Sequence, residues 1–269
     1  MALTLTLAAC SSGHPGTHGP AVAPAPVMRV DFNQSPLGPY SAAELAADWG
    51  APLWAALHDR VVIETPRGAS GRVMRVAYPQ GAVGPAQGGA QFVVPLPPSD
   101  ELWLRYRVKF AEGFDFRRGG KLPGLNSGRG HYSGGHLPVN GDGWSARLVW
   151  TEGGQLNLYV YSVDIEGPWG EVRSLGPTAV ARPGQWHTVI QQVRLNRPGQ
   201  SDGLLAVWVD GQLGYSQDNR RWRSGEQGRI DSLFFSTFHG GQGADWAPRH
   251  DSHAEFDDFS VSRARLPDD

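Results

Sequence analysis

An arginine, two tyrosines and a lysine in the middle of the chain are the side chains best suited to chemistry: Arg147, Tyr159, Tyr161 and Lys121. A guanidinium holds a carboxylate through two parallel hydrogen bonds, and a phenol or an amine can move a proton. Together they suit acid–base work on an anionic substrate. A free phenol titrates near 10 and is a poor base at neutral pH, but close cations favour its phenolate. Each of these residues taken alone has a plainer reading: a tyrosine that packs, an arginine in a surface ion pair, a lysine on an exposed loop. Their placement on common elements decides between the readings.

Residues 144–150 (WSARLVW) and 156–162 (LNLYVYS) flank Glu152-Gly153-Gly154, and both alternate apolar with polar residues. That is the period of a strand with one buried and one open face. A three-residue loop with a left-handed glycine joins them as a hairpin and sets Thr151 opposite Gln155, Arg147 opposite Tyr159 and Ser145 opposite Tyr161. Ala146, Leu148, Trp150, Leu156, Leu158 and Val160 then share the core face. Ser145, Arg147, Asn157, Tyr159 and Tyr161 share the other. A slip of one residue would exchange the faces and bury the guanidinium in the core.

Other segments alternate in the same way. They are 28–32, 61–64, 73–78, 101–110 (ELWLRYRVKF), 187–195, 204–210, 230–238 and 255–261, with Asp210-Gly211 marking a turn. Residues 41–49 have helical composition, with Ser41 as a cap. The stretch 117–124, which contains Lys121, and the Gly/His/Ser-rich run to Gly143 read as loop. The outward cations of 101–110, Arg105, Arg107 and Lys109, suit either a track for a polyanion or a solvated face. The 36 glycines, 21 prolines and 10 tryptophans in 269 residues fit a turn-rich all-β protein. Strands at this spacing predict a two-sheet β-sandwich with its first and last strands paired, in a single domain over 28–269.

A net charge of −2 provides no global field for nucleic acid or an acidic polymer, so a polyanion would need a local cationic site. The one cysteine, Cys10, ends Leu7-Ala8-Ala9-Cys10, which resembles a bacterial lipobox. On that reading 1–9 is a truncated signal segment, Cys10 carries a lipid, 10–27 is a Gly/Pro/Ala-rich tether, and the protein is extracytoplasmic. His14 and His18 in the tether read as chance rather than a metal site. Asp257 and Asp258 read as ordinary surface carboxylates rather than a calcium site.

The segments ELWLRYRVKFAEGFDFRRGGKLPGL (101–125), WSARLVW, LNLYVY, GQWHTVIQQVRLN (184–196), GLLAVWVDGQ (203–212) and LFFSTFHGG (233–241) with DWAP (245–248) together resemble polysaccharide lyase family 14, the alginate and glucuronan lyases. The resemblance runs from about residue 100 to 261 and is carried by GGKLPG, S-x-R and Y-x-Y in that order. It implies a concanavalin-like β-jelly roll that cleaves a 4-linked uronan by β-elimination, as a monomer, without cofactor or catalytic metal. By motif, the family's active-site lysine falls on Lys121, its Ser and Arg on Ser145 and Arg147, and its tyrosine pair on Tyr159 and Tyr161. Either His131 or His136 would reach the site, and Asn157 and Arg107 join the substrate-binding candidates. The reaction needs the C6 carboxylate neutralised, the C5 proton removed and the departing O4 protonated. Arg147 suits the first task. Lys121 could share it or take the proton, and either tyrosine could serve as acid or base.

Two other readings are open. A non-catalytic carbohydrate-binding module would keep the sandwich and its aromatic face without needing these cations to converge. A sandwich glycoside hydrolase would need two carboxylates in the cleft. Asp164-Ile165-Glu166 is the nearest match to such a pair, but it has Ser162 where a first glutamate is required.

Overall fold

The computed structural model describes residues 25–267, so the readings of Cys10, His14, His18 and most of the tether lie outside the described residues. In chain order the strands are β1 (Met28–Val30), β2 (Gly38–Pro39), β3 (Trp54–Ala56), β4 (Val61–Glu64), β5 (Val73–Tyr78), β6 (Ala90–Ser99), β7 (Glu101–Phe110) and β8 (Gly119–Ser127). There follow β9 (Trp144–Thr151), β10 (Leu156–Tyr161), β11 (Glu171–Ser174), β12 (Trp186–Arg194), β13 (Gly203–Val209), β14 (Gln212–Arg220), β15 (Ile230–Thr237) and β16 (Ser252–Ser262). One helix, α1 (Ala42–Trp49), lies between β2 and β3.

Two antiparallel sheets pack as a jelly-roll sandwich. Among the described residues one sheet runs β14-β13-β12-β7-β16-β5-β4-β2 with β1 also on β16, and the other runs β11-β10-β9-β8-β15-β6-β3. The first strand does pair with the last, Met28 against Val261 and Val30 against Phe259. Between the sheets lies one apolar cluster to which the inward residues of nearly every strand contribute. On β7 these are Leu102, Leu104, Tyr106, Val108 and Phe110; on the central hairpin they are the six expected apolar residues. Each such side chain is worth about 1.5–3 kcal/mol when fully buried, so the alternation that exposes one face fixes the register of the other. The helix begins on the Ser41 cap, whose hydroxyl accepts from the Glu44 N–H at 3.3 Å, and it buries Leu45 and Trp49 in the core.

The hairpin register is the one expected, Arg147 against Tyr159 and Ser145 against Tyr161. The Thr151 N–H donates to the Gln155 carbonyl at 2.8 Å, and both loop glycines take positive φ, 72° at Gly153 and 83° at Gly154. Residues 119–127 depart from expectation. They form strand β8 between β9 and β15 instead of a loop, because glycine replaces the usual bulk at the points of closest approach. A Cβ on Gly120 would lie 2.0 Å from the Trp150 ring and 2.4 Å from the Phe238 carbonyl. Around Pro123, which has no N–H to give, the β8–β9 register shifts between Leu122 and Gly124. Lys121 is thereby a strand residue with a fixed neighbourhood.

Candidate active site

Five neighbouring strands of the second sheet each send one polar side chain to its outer face. In order across the sheet these are Tyr159 (β10), Arg147 (β9), Lys121 (β8), Ser236 (β15) and Gln91 (β6). Over the first three lies a cleft of about 810 Å³, also lined by Gln91, Trp169, Gly170, Val172, Trp246 and Arg118. Arg147 is only 2% exposed. Its guanidinium rests 4.7 Å over the Phe234 ring and 5.9 Å from that of Tyr159. It makes one hydrogen bond, from Nη1 to Ser236 Oγ at 3.2 Å, and Nε is buried with no partner. Gln91 Nε2 donates to the same Ser236 oxygen at 2.9 Å. The Lys121 Nζ stands 4.0 Å over the Tyr159 ring. Among the described residues no carboxylate forms an ion pair with Lys121 or Arg147, and none lines the cleft.

Burying two cations side by side without an anion shifts both. Burial, and secondarily the charge on Arg147, pushes the Lys121 amine down from 10.5 to about 7. Burial also lowers Arg147, to about 10, against the opposing influence of Tyr161 and Tyr159. Arg147 stays charged at neutral pH while Lys121 is poised to gain or lose a proton. The tyrosine moves opposite to the simple sequence argument. Burial and the hydrogen bond with Tyr161 push the Tyr159 phenol above its ordinary value, and the Gly170 N–H and Arg147 only partly oppose this. Tyr159 is therefore a protonated acid near neutrality, and Lys121 is the group that can be a base there.

The profile of the family described as Polysaccharide lyase 14 matches residues 66–259, most of the chain. The chain belongs to that family. It is a polysaccharide lyase. Among solved structures, the alginate lyase Aly36B is 26% identical with a TM-score of 0.76, covering 90% of this chain and 99% of that one. A variant of Aly36B with one lysine and one tyrosine replaced by alanine, in complex with alginate tetrasaccharide, matches at 25% identity and a TM-score of 0.77, with coverage of 90% and 99%. The PL-14 alginate lyase of Aplysia kurodai shares the fold, at 24% identity and a TM-score of 0.76 over 90% of this chain and 100% of that one. Among curated protein sequences nothing matches significantly.

Of the residues singled out from the family pattern, the structure brings Lys121, Arg147 and Tyr159 to the cleft. Tyr161 lies just beneath, fully buried. Its hydroxyl is 3.2 Å from that of Tyr159 and accepts from the Gly135 N–H at 3.2 Å, while the Gly170 N–H donates to Tyr159 at 3.3 Å. Ser145 is buried and its hydroxyl donates to the Tyr132 carbonyl at 2.6 Å, which fastens the 128–143 loop. Asn157 donates to Thr151 Oγ1 at 3.1 Å and braces the hairpin turn. Neither lines the cleft. His131 and His136 are exposed with their rings 4.9 Å apart, and it is Ser133 and Gly134 of the same loop that reach the cleft instead.

Arg107 is corrected outright. It lies on the outer face of the opposite sheet, paired with Asp258 at 3.2 Å and placed 4.8 Å over Trp186. The core separates it from the cleft, because Tyr106 and Val108 beside it point inward. Lys109 is paired as well, with Glu255 at 2.6 Å, so the supposed polyanion track has little free charge. Asp164 pairs with Arg221 at 3.0 Å and faces a separate small cavity. His187 is structural, between Asp210 Oδ2 at 2.7 Å and the Arg182 N–H at 2.8 Å.

Sequence reasoning passed over Gln91, Ser236, Trp169, Trp246 and Arg118. Prolines at 95, 97 and 98 hid β6 and with it Gln91. Trp246 belongs to DWAP and Arg118 immediately precedes Gly119-Gly120-Lys121, so position beside a motif was the available signal.

Proposed function

We propose that the protein cleaves a 4-linked uronan, alginate first among them, by β-elimination in this cleft. The observation that carries the reading is Arg147: a buried guanidinium that among the described residues has one hydrogen bond and no anion, with an open cleft before it. A substrate carboxylate would complete its bonding. The enolate-like charge that builds on that carboxylate as C5 loses its proton is then stabilised more than the ground state. The neutral Lys121 amine takes the C5 proton. As the C4–O4 bond breaks and C4=C5 forms, the Tyr159 phenol gives its proton to O4. Tyr161 and the Gly170 N–H then donate to the resulting phenolate, which limits the cost of forming it inside the protein. Transfer of the lysine proton back to Tyr159, directly or through solvent, restores both groups. The products are an unsaturated uronate end, with C4=C5, and a new reducing end on the departing sugar, whose C1 keeps the protonated oxygen; no water is consumed.

Against the carbohydrate-binding module stands the cost of burying two unpaired cations, which stacking on sugars does not require. Against hydrolysis stands the absence of aspartate and glutamate from the described cleft lining. Incubation with alginate and with glucuronan, followed by ultraviolet absorbance and by reducing-end assay, separates the three. Conjugated C=C growth supports elimination; reducing ends without it mean hydrolysis; binding with neither means a module.

The lipobox-like sequence at Cys10 supports a lipid-anchored, extracytoplasmic enzyme that acts as a monomer on extracellular polymer. Cys10→Ala would move it from the membrane to the soluble fraction. Unchanged partitioning would remove the anchor.

A further inference from the structure

The cleft does not end at the reacting groups. Beyond Lys121 it continues over Gly120 and Gly119 to Arg118 and Trp246. The Arg118 guanidinium stands 5.2 Å over the Trp246 ring. It is 60% exposed, and among the described residues its only ion-pair partner is Asp245 at a loose 3.9 Å, itself 82% exposed. The indole is held closely. A Cβ on Gly241, whose φ is +79°, would lie 2.1 Å from the Trp246 ring, so the ring lies directly against bare backbone. A larger residue there would lift it.

A guanidinium held over an aromatic plate and open to solvent matches a uronate sugar: the ring fixes the cation and the sugar's carboxylate meets it. A neutral sugar has no carboxylate to offer that cation. Up to about 10 Å of chain separates Arg118 from Lys121, enough for the two to meet successive sugars. Asp245 sets a condition, because an arriving carboxylate must displace that loose pair. The exchange exposes Asp245 to water, where its charge is well solvated.

We infer that Arg118 and Trp246 form a second uronate-binding subsite, which takes a sugar of the same polymer adjacent to the one bound by Arg147. The inference rests on the uronan-lyase reading for the identity of the polymer, while the subsite itself can be tested without turnover. Arg118→Gln removes the charge at an exposed position without disturbing the fold. On polymeric alginate it should raise KM roughly fivefold and leave kcat within about twofold, the scale of one partly exposed charged contact. Added salt should weaken polymer binding by the wild type more than by the variant.

Equal KM values for the two proteins on every chain length would overturn the subsite. So would a loss carried by kcat and not by KM, which would mean that Arg118 acts at the reacting sugar. Calorimetric titration with an alginate hexamer separates this inference from the parent reading. If the wild type binds the hexamer but makes no unsaturated product, the lyase mechanism fails, and weaker binding by Arg118→Gln still establishes the subsite. If neither turnover nor binding distinguishes the two proteins, the subsite fails too.

Discussion

The two outer faces of the sandwich use the same residue types to opposite ends. On the β7–β16 face Arg107 and Lys109 flank the Trp186 ring, and each meets a carboxylate, Asp258 at 3.2 Å and Glu255 at 2.6 Å. On the β8–β9–β10 face Lys121 and Arg147 flank Tyr159, and no carboxylate of the described residues pairs with either. The first arrangement is electrostatically closed. The second leaves charge unsatisfied within a cleft, at a cost in folding free energy that a monoanionic substrate can relieve. Site and scaffold are distinguished here by what is withheld from the cation, since the cations themselves are alike.

The sharpest way to break this contrast is at Arg147. Arg147→Ala should lower kcat/KM at least about 10³-fold, the scale seen when a group that stabilises transition-state charge is deleted. Arg147→Lys should recover little, since an ammonium cannot reproduce the two-bonded fork. Steady-state kinetics on alginate checks both, and a lysine variant with near-native activity would mean that charge alone suffices. Tyr159→Phe follows with a loss of about 10²-fold or more in kcat. Tyr161→Phe should cost less, roughly tenfold, because the Tyr161 hydroxyl supports Tyr159 from beneath and does not line the cleft. Equal losses would place both phenols in direct contact with the reacting atoms.

The unpaired lysine gives the comparison a pH signature. In the unfolded chain the amine keeps its proton up to its ordinary value of 10.5, whereas in the fold it gives the proton up near 7. Between those values the unfolded state binds more protons, so this group makes stability rise with pH, and its burial cost is felt in full below about pH 7. Lys121→Met should therefore stabilise the protein at pH 6 by on the order of 2–4 kcal/mol, with a gain that vanishes toward pH 10. Asp257 titrates over a similar range, raised to about 7 by burial and then by Asp258. It is common to both proteins and cancels in the difference. Denaturant melts at several pH values measure the gain, and a gain independent of pH would mean that Lys121 is not held in the shifted state. In wild type kcat/KM should rise through pH 7 as the amine deprotonates, and Lys121→Met should lose both that limb and most of the activity.

Much of this was legible in the chain before any coordinates. Alternation in 144–150 and 156–162 sufficed for the hairpin, its register and the facing of Arg147 and Tyr159, because a slip by one would have buried a guanidinium in the core. Strand β8 was not legible. Its glycines and Pro123 are signals of turns, and only contact with the Trp150 ring and the Phe238 carbonyl makes them strand residues. The behaviour of Tyr159 was also hidden. Sequence placed cations near it, which argues for a lowered phenol, but burial is a tertiary quantity and it dominates. Arg107 shows the converse limit: alternation placed it correctly on an outward face, yet nothing local says which sheet that face belongs to or that Asp258 closes it.

The smallest predicted effect is the control that the contrast requires. Arg107→Gln and Lys109→Gln remove cations of the same kinds as those in the cleft, from a face that the core separates from it. Each should change kcat/KM by less than about twofold. For Arg107, whose pair with Asp258 is about one-third exposed on both sides, the expected loss of stability is about 0.2–1 kcal/mol. Lys109 should cost more, because Glu255 is nearly buried and its removal leaves that carboxylate without its cation. A substantial loss of activity from Arg107→Gln without loss of stability would contradict the division into a closed face and an open one. It would return the outer cations of β7 to the list of groups that hold the polymer.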